Sequence, residues 1–457
     1  MKLSEAAKIM NGELRGQDAY FFGGASDTRK LKPGELFFAW KGDQFDAHDY
    51  LESAELNGAI CAVVERFIPS AQIAQIIVKD TQKALGKIAK AWRKEWKGTM
   101  IALTGSNGKT TLKEMVTSIL SVNHEVLATE GNYNNHVGCP LMLLRLNTHH
   151  THAVIEMGAS NPREIEYLTK IVQPNIAILN NAGACHLEGF GSIEGVAKAK
   201  AEIFEGLSKT GTAIINADDQ FAEFWQTCVS DFNSLTFGIE HEADVMAKAI
   251  HDRHFELNLM KTGEKAEIDL QLLGRHNILN ALAASAATSA AGEKIETIQK
   301  GLEQLEPVKG RLQVVKIKEN VQLINDAYNA NPNSLKAGID ACSAGVRWLV
   351  LGDMRELGEA ERSIHYECGQ YAKNAGFSEL FTLGELTKEA VKGFGEGGHS
   401  FDNHEALLTT LSEKIAAYQD KILLTILLKG SNSMNMQYFY EALTKDQDQL
   451  ESDELDH

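Results

Sequence analysis

Short apolar runs closed by glycine or polar turns recur along this chain and predict strands, and longer stretches of spaced apolar residues between them predict helices. Up to residue 80 the strands are few, Ile60-Cys-Ala-Val-Val64 and Ile76-Ile-Val78, too little for a nucleotide-binding sheet and enough for a small first domain. From 81 to 310 the order becomes strand, loop, helix, repeated, with strands at Met100 to Leu103, Ala153 to Ile155, Ile176 to Leu179 and Ala213 to Ile215. Such alternation predicts a parallel sheet covered by helices. From 311 to 457 a second set, Val321 to Ile324, Trp348 to Leu351 and Ile422 to Leu428, predicts another α/β domain. Pro307-Val-Lys-Gly310 breaks the periodicity between the two and reads as a hinge. The expected fold class is α/β in three domains, 1–80, 81–310 and 311–457.

A length of 457 residues, 44% of them hydrophobic, supports this division, because one core rarely organises so long a chain. The formal net charge of -17, with no clustered Lys and Arg face, argues against a nucleic-acid partner. Six cysteines, Cys61, Cys139, Cys185, Cys228, Cys342 and Cys368, stand far apart without metal spacing, which fits a reducing, cytosolic setting. No run reaches the roughly 18 apolar residues that span a bilayer, and the first residues lack an apolar export signal. The acidic segment 446–457 reads as a frayed end.

The richest polar turn follows the strand at Met100: Thr104-Gly-Ser-Asn-Gly-Lys-Thr-Thr111. Gly105 and Gly108 let the backbone turn so that N–H groups of the loop, Ser106 and Asn107 included, converge on an anion, with the positive end of a helix opening near Lys109 behind them. Lys109 is placed for the outer phosphates and Thr110 for a magnesium ion bridging them, with Thr111 following. The two glycines stand closer than in the usual pattern, so this is a shortened phosphate loop. ATP or GTP is the expected ligand; hydrolysis, transfer and ligation all stay open.

Ligands of open α/β sheets collect beyond the carboxyl ends of the strands. There Glu156, with Met157-Gly158, offers a carboxylate suited to a hard magnesium ion, or an ordinary polar strand end. His186, at the end of Asn180-Asn-Ala-Gly-Ala-Cys-His186, is a ligand or a hydrogen-bonding residue. On a helix from Ser192 to Leu207 the apolar stripe is Ile193, Val196, Ala197, Ile203, Phe204 and Leu207, and Lys200 falls on it. Spacing alone favours snorkelling to water; a buried neutral lysine near magnesium could instead take up carbon dioxide as a carbamate. Gly274-Arg-His-Asn277 precedes the alanine-rich helix Ala281 to Ala291 as its cap, or meets an adenine edge. In the third part, Asn325-Asp-Ala-Tyr-Asn-Ala-Asn-Pro332, Leu351-Gly-Asp-Met354 and Leu428-Lys-Gly-Ser431 are turns that together would make the other wall of a cleft.

Taken together, these segments resemble the Mur ligase family over nearly the whole chain. The resemblance rests on the phosphate loop, Asn134-Asn-His-Val-Gly138, Glu156-Met-Gly158, Asn180-Asn-Ala-Gly183, His186-Leu-Glu-Gly-Phe-Gly191, Ala197-Lys-Ala-Lys200, Asn216-Ala-Asp-Asp219, Gly274-Arg-His-Asn277 and Asp326-Ala-Tyr-Asn-Ala-Asn-Pro332. It implies a UDP-binding domain, a central ATPase domain and a Rossmann-like domain that carries the incoming amine. The implied reaction phosphorylates the terminal carboxylate of UDP-N-acetylmuramoyl-tripeptide with ATP, after which the amine of D-alanyl-D-alanine displaces phosphate. By the same resemblance Lys109, Lys200 and His186 are catalytic, and Thr110, Glu156, His186 and Lys200 as a carbamate hold magnesium. Asn277 meets the adenine, Arg311 the phosphates and Asp326 the nucleotide from the third domain. Asp27-Thr-Arg29, Pro33-Gly34 and Lys41-Gly-Asp-Gln-Phe-Asp-Ala-His-Asp49 look like the family's UDP-sugar end, so Thr28, Arg29 and His48, together with Asn135, Tyr328 and Asn331, are expected to contact substrate.

One position departs from the family: Asn432 stands where an arginine is usual, while Met354-Arg-Glu-Leu-Gly358 fits a place near the dipeptide. Two rivals are an amide ligase that adds a single amino acid and a noncatalytic nucleotide switch; the second has no use for Lys200 and Glu156. No partner-binding amphipathic helix stands out, so a monomer is expected.

Overall fold

The computed structural model describes residues 1–42, 45–342 and 344–454, with side chains to residue 445. Asp43 and Gln44, within the segment Lys41 to Asp49, and the last three residues of the acidic tail lie outside the described residues. Three sheets, of five, nine and six strands, follow one another along the chain, all three with mostly parallel neighbours, which makes the protein a three-domain α/β chain.

The first sheet runs in the order Glu13–Arg15, Ala74–Ile77, Cys61–Val64, Leu36–Phe38, Gly24–Ala25. All four residues of Cys61–Val64 are buried, as expected of an inner parallel strand covered on both faces. The helix Leu3–Met10 packs on this sheet and Thr81–Glu95 packs on that helix, and the apolar sides of both share one core with the second domain. Arg93, buried on the second of these helices, donates from Nε to the carbonyl of Val172 (2.8 Å) and from Nη2 to that of Gln173 (3.0 Å). These bonds satisfy the carbonyls that the helix Glu164–Val172 leaves open at its end and fix Thr81–Glu95 in the second domain, where Leu3–Met10 of the first domain packs against it.

The second sheet carries the phosphate loop. Its strand Thr99–Thr104 lies between Ile176–Leu179 and His152–Glu156, all parallel, so the chain leaves that strand to build on one side and returns to build on the other. The crevice opens at such a reversal of strand order. Four apolar strands foreseen from the sequence are present, and Val126–Ala128, Asn233–Gly238, Val245–His251, His254–Leu259 and Glu264–Asp269 extend the sheet. The last two pair antiparallel, as a hairpin edge that strand-helix alternation could not announce.

In the third sheet the order is Gln313–Lys318, Val321–Asp326, Leu424–Lys429, Val346–Gly352, Glu379–Leu383, Gly398–Phe401. Strands Val321–Asp326, Leu424–Lys429 and Val346–Gly352 are parallel neighbours, so the three polar turns that follow them emerge side by side.

Three expectations are corrected. The residues Arg275 to Asn277 do not precede the alanine-rich helix; they are its first turn, Arg275–Ala290, and no side chain caps it. The helix foreseen from Ser192 to Leu207 is an α-helix over Ile193–Ala201 that tightens to a 3-10 turn over Glu202–Gly206, with Ser192 capping its start through Gly195 N–H. The acidic tail is not frayed from 446 on, because the helix Gln437–Glu454, seated on the sheet through Phe439, continues into it.

Candidate active site between the second and third domains

The helix Lys109–Ser121 starts directly on the phosphate loop, with Gly108 as its N-cap at φ +75°. That left-handed value suits glycine, and space demands it too: a Cβ there would lie 2.6 Å from Asn280 Oδ1 and 3.0 Å from Asn180 Nδ2. The loop is held from behind by amides. Asn107 N–H donates to Asn181 Oδ1 (2.8 Å), Asn181 and Asn180 both donate to the Asn107 carbonyl (3.1 Å each), and Asn180 also donates to Asn280 Oδ1 (2.8 Å). Ser106 Oγ accepts from Gly183 N–H (2.9 Å). Asn277 donates to the Leu273 carbonyl at 2.7 Å and accepts from Asn280 at 3.2 Å, so it completes this wiring at the start of its helix.

Lys109 folds back to donate to the carbonyl of Gly105 at 2.7 Å. Beside it, Thr110 Oγ1 donates to Glu156 Oε2 (3.0 Å) and accepts from Arg311 Nη2 (3.0 Å). Glu156 is 2% exposed, and its other oxygen accepts from Asn134 Nδ2 at 2.8 Å. Asn135, one residue on, turns the chain into the helix Gly138–Leu143 by accepting from the N–H groups of Val137 and Gly138.

Lys200 does not snorkel. It is 1% exposed, and among the described residues its Nζ meets no carboxylate and no hydrogen-bond acceptor, only the Phe190 ring at 5.5 Å. Burial, with the nearby Lys109 cation, pushes the amine down to about 8. His186 stands at φ +48° and bonds through Nδ1 to the Glu356 carboxylate of the third domain. Burial lowers its pKa first, and Lys109 and Lys200 add to the effect against the pull of Glu356, so the net shift favours the uncharged ring.

The third domain meets this wall again through Asn331 and orders its own groups that face the cleft. Asn331, which caps the helix Pro332–Ala341 in a capping box with Ser334, donates from Nδ2 to Asn107 Oδ1 at 2.6 Å. The Arg311 guanidinium lies 4.3 Å from the centre of the Tyr328 ring. Asp326 pairs with buried Lys429, which also donates to the Asn329 carbonyl. Between the walls lies a cleft of about 680 Å³, lined among others by Ser106 to Thr111, Asn135, Glu156, His186, Asn277, Arg311, Asp326, Tyr328 and Asn331. Lys200 is not among its lining residues.

Thr28 and Arg29 sit apart from this cleft, on the 3-10 turn Thr28–Lys30, where Arg29 pairs with Asp27. The same turn faces the second domain through Lys30, whose Nζ lies 3.2 Å from Tyr133 Oη. His48 is a correction. It is 3% exposed, its Nδ1 bonds Asp46 at 2.6 Å and its Nε2 accepts from Glu65 N–H at 3.0 Å, which leaves neither nitrogen for a substrate. Asn432 fills its unusual place by tying two loops together, with Nδ2 donating to the Tyr328 carbonyl at 3.1 Å.

Sequence reasoning placed the segments that carry Lys429 and Glu356 at the cleft without singling out either residue, and it missed Asn280 altogether. Only Asn280 carried a usable signal: it follows Asn277 by three residues, which puts both amides on one helix face.

A phosphate loop at a strand-order reversal, closed over by a second α/β unit, defines a P-loop nucleotide-dependent enzyme with its cleft shared between domains. The comparisons with known proteins then narrow the class. Family profiles match in series: the Mur ligase family catalytic domain over 25–93, the Mur ligase middle domain over 103–288, and the Mur ligase glutamate ligase domain over 310–431. The chain belongs to the Mur ligase family, the ATP-dependent amide-bond ligases. Over 446 residues, 96% of this chain and 98% of the relative, it is 41% identical to the UDP-N-acetylmuramoyl-tripeptide--D-alanyl-D-alanine ligase of Escherichia coli (strain K12). Its fold matches MurF from Acinetobacter baumannii with a TM-score of 0.89 and 34% identity, covering 97% of this chain and 98% of that one. It also matches the MurF ligase of Thermotoga maritima, solved in complex with ADP, with a TM-score of 0.81 and 26% identity over 93% and 98% of the two chains.

Proposed function

We propose that this chain uses ATP to join D-alanyl-D-alanine to the terminal carboxylate of UDP-N-acetylmuramoyl-tripeptide, giving the pentapeptide precursor of peptidoglycan. The observation that carries the reading is the near-full-length likeness to a relative named for that reaction, with all three domains included. The bonds balance as follows. A carboxylate oxygen of the tripeptide attacks the γ-phosphorus and ADP leaves; the free amine of the dipeptide attacks the acyl carbon; the tetrahedral adduct expels phosphate and a proton is released.

The chain's residues suit each demand. Lys109 and the loop N–H groups hold the phosphates, and Arg311 and Asp326 approach the nucleotide from the third domain. Asn277, with Asn280 behind it, takes the adenine side. Thr28 and Arg29 lie on the first domain's turn for the UDP end, and Asn135, Tyr328 and Asn331 line the cleft for the peptide. Docking of the third domain keeps water from the acyl phosphate.

A magnesium ion fits these residues. Glu156 and Thr110 present hard oxygen atoms to the cleft and His186 an imidazole ring, while among the described residues no cluster of three His, Cys, Asp or Glu is assembled. Such a sparse set suits an ion that keeps waters and takes phosphate oxygens. Magnesium, when bound, neutralises the repulsion between the phosphates and the attacking carboxylate. Lys200 fits a carbamate: a buried amine held near 8, without an acceptor, gains an anionic head that a cation would balance.

Both walls of the cleft come from one chain, which supports a monomer. Among the described residues the six cysteines are free thiols, and no helix is long and apolar enough to cross a membrane, in keeping with a cytoplasmic place of work. The test is phosphate release from ATP and magnesium with UDP-N-acetylmuramoyl-tripeptide, with and without D-alanyl-D-alanine. Release that needs both substrates, with a product heavier by one dipeptide, is the expected result; release indifferent to the dipeptide, or product formed with a single amino acid, would sink the assignment.

A further inference from the structure

The loop after the strand Val346–Gly352 is fixed at successive backbone groups. Asp353 N–H donates to the Leu383 carbonyl, Met354 N–H to His365 Nε2 at 3.0 Å and Arg355 N–H to Ser431 Oγ at 2.9 Å, while Ser431 N–H returns to the Asp353 carbonyl. His365 is itself locked, with its Nδ1 at 2.6 Å from the Glu361 carbonyl. The next residue, Glu356, adopts φ +63°, a left-handed value that costs a non-glycine residue free energy and that persists where the surroundings enforce it. Its side chain is 55% exposed and bonds one group across the domain boundary, His186 Nδ1, on a residue that is itself at φ +48°. Two strained residues from two domains therefore meet at their side chains.

We infer that Glu356 is a positioning residue for the ligase reaction: its carboxylate holds the proton of His186 on Nδ1 and so presents Nε2, with its lone pair, to the divalent cation, an arrangement completed only when the third domain is docked. The inference rests on the ligase reading and on His186 as a metal ligand. A carboxylate on the far nitrogen of a ligating histidine fixes the tautomer and ring angle and raises the basicity of the near one. The source of this carboxylate is what is specific here, because metal affinity in the second domain then depends on a residue anchored in the third. Among the described residues no hydrogen bond or ion pair joins Glu356 to the nucleotide-binding loop or to Lys200.

The test uses the full chain with manganese as the probe. Manganese binding in the presence of the unreactive nucleotide adenylyl imidodiphosphate is followed by electron paramagnetic resonance for wild type, Glu356→Gln and Glu356→Asn. Asparagine tolerates the left-handed backbone but is too short to reach, and glutamine keeps a neutral acceptor. Manganese affinity is expected to fall about tenfold or more in Glu356→Asn and by less in Glu356→Gln. In the ligase assay the magnesium needed for half-maximal rate rises in the same order while KM for D-alanyl-D-alanine stays at the wild-type value. Manganese affinity within about twofold of wild type in both variants would overturn the inference. So would an increased dipeptide KM at unchanged manganese affinity, which would make Glu356 a dipeptide contact. A wild-type chain that makes no pentapeptide overturns the ligase reading, and the manganese titration still decides the role of Glu356.

Discussion

On the second-domain wall of the cleft, Asn180, Asn181, Asn280 and Ser106 hold the phosphate loop through bonds made inside one domain. On the third-domain wall, Arg311, Asn331 and Glu356 reach Thr110, Asn107 and His186 only across the boundary. The first wall is preorganised whatever the third domain does; the second exists as a wall only while docked. In the proposed reaction each cross-boundary partner belongs to a residue that nucleotide or metal would use, so docking and ligand binding are coupled through the same residues. Changes to the first wall should therefore remove chemistry outright, and changes to the second should weaken it through docking.

The largest effect is expected from Lys109→Met, which leaves the loop folded and lowers product formation about 10³-fold or more, read by phosphate release with circular dichroism unchanged. Lys200→Met should likewise abolish ligation while making the ligand-free chain more stable near pH 7, by on the order of 3 kcal/mol, because methionine fills the site without a buried charge. The sign follows from linkage. The folded lysine titrates near 8 and the unfolded one near 10.5, so between these values the unfolded chain binds more protons and wild-type stability rises with pH. The gap between wild type and Lys200→Met is thus full below pH 8 and closes toward 10.5, as denaturant melts at several pH values would report.

Arg311→Ala is expected to lower kcat/KM about 10²-fold, because a misplaced reacting group costs about that much, while ADP binding to the first wall changes far less. Equal losses in ADP affinity and kcat/KM would erase the distinction between the walls. The smallest effect is that of Asn331→Ala, which removes a helix cap and the Asn107 contact together and should cost about 1 kcal/mol of stability in denaturant melts.

What the sequence disclosed follows the same division. The phosphate loop was legible because its glycines, lysine and threonines lie within a few residues, and the inward place of Lys200 because helical periodicity is local. Asn180 meeting Asn280, a hundred residues away, depends on strand order, and Glu356 meeting His186 depends on how two domains dock, neither of which a periodicity contains. His48 shows the opposite error. A histidine in a motif looked available, but Asp46 and the Glu65 amide consume both of its nitrogens, and such saturation is visible only in three dimensions.

The strand Leu424–Lys429 lies in the middle of the third sheet, between Val321–Asp326 and Val346–Gly352, although it follows both by more than seventy residues in chain order. During synthesis the two strands emerge from the ribosome without the partner that separates them, and each presents an unpaired edge until residue 429 has cleared the exit tunnel. At the ribosomal rate of roughly 5–20 residues per second, that wait lasts several seconds, a window in which a nascent third domain is open to mispairing and to chaperones. The ion pair between Lys429 and Asp326 forms only after this wait, so the cleft acquires its second wall late in folding.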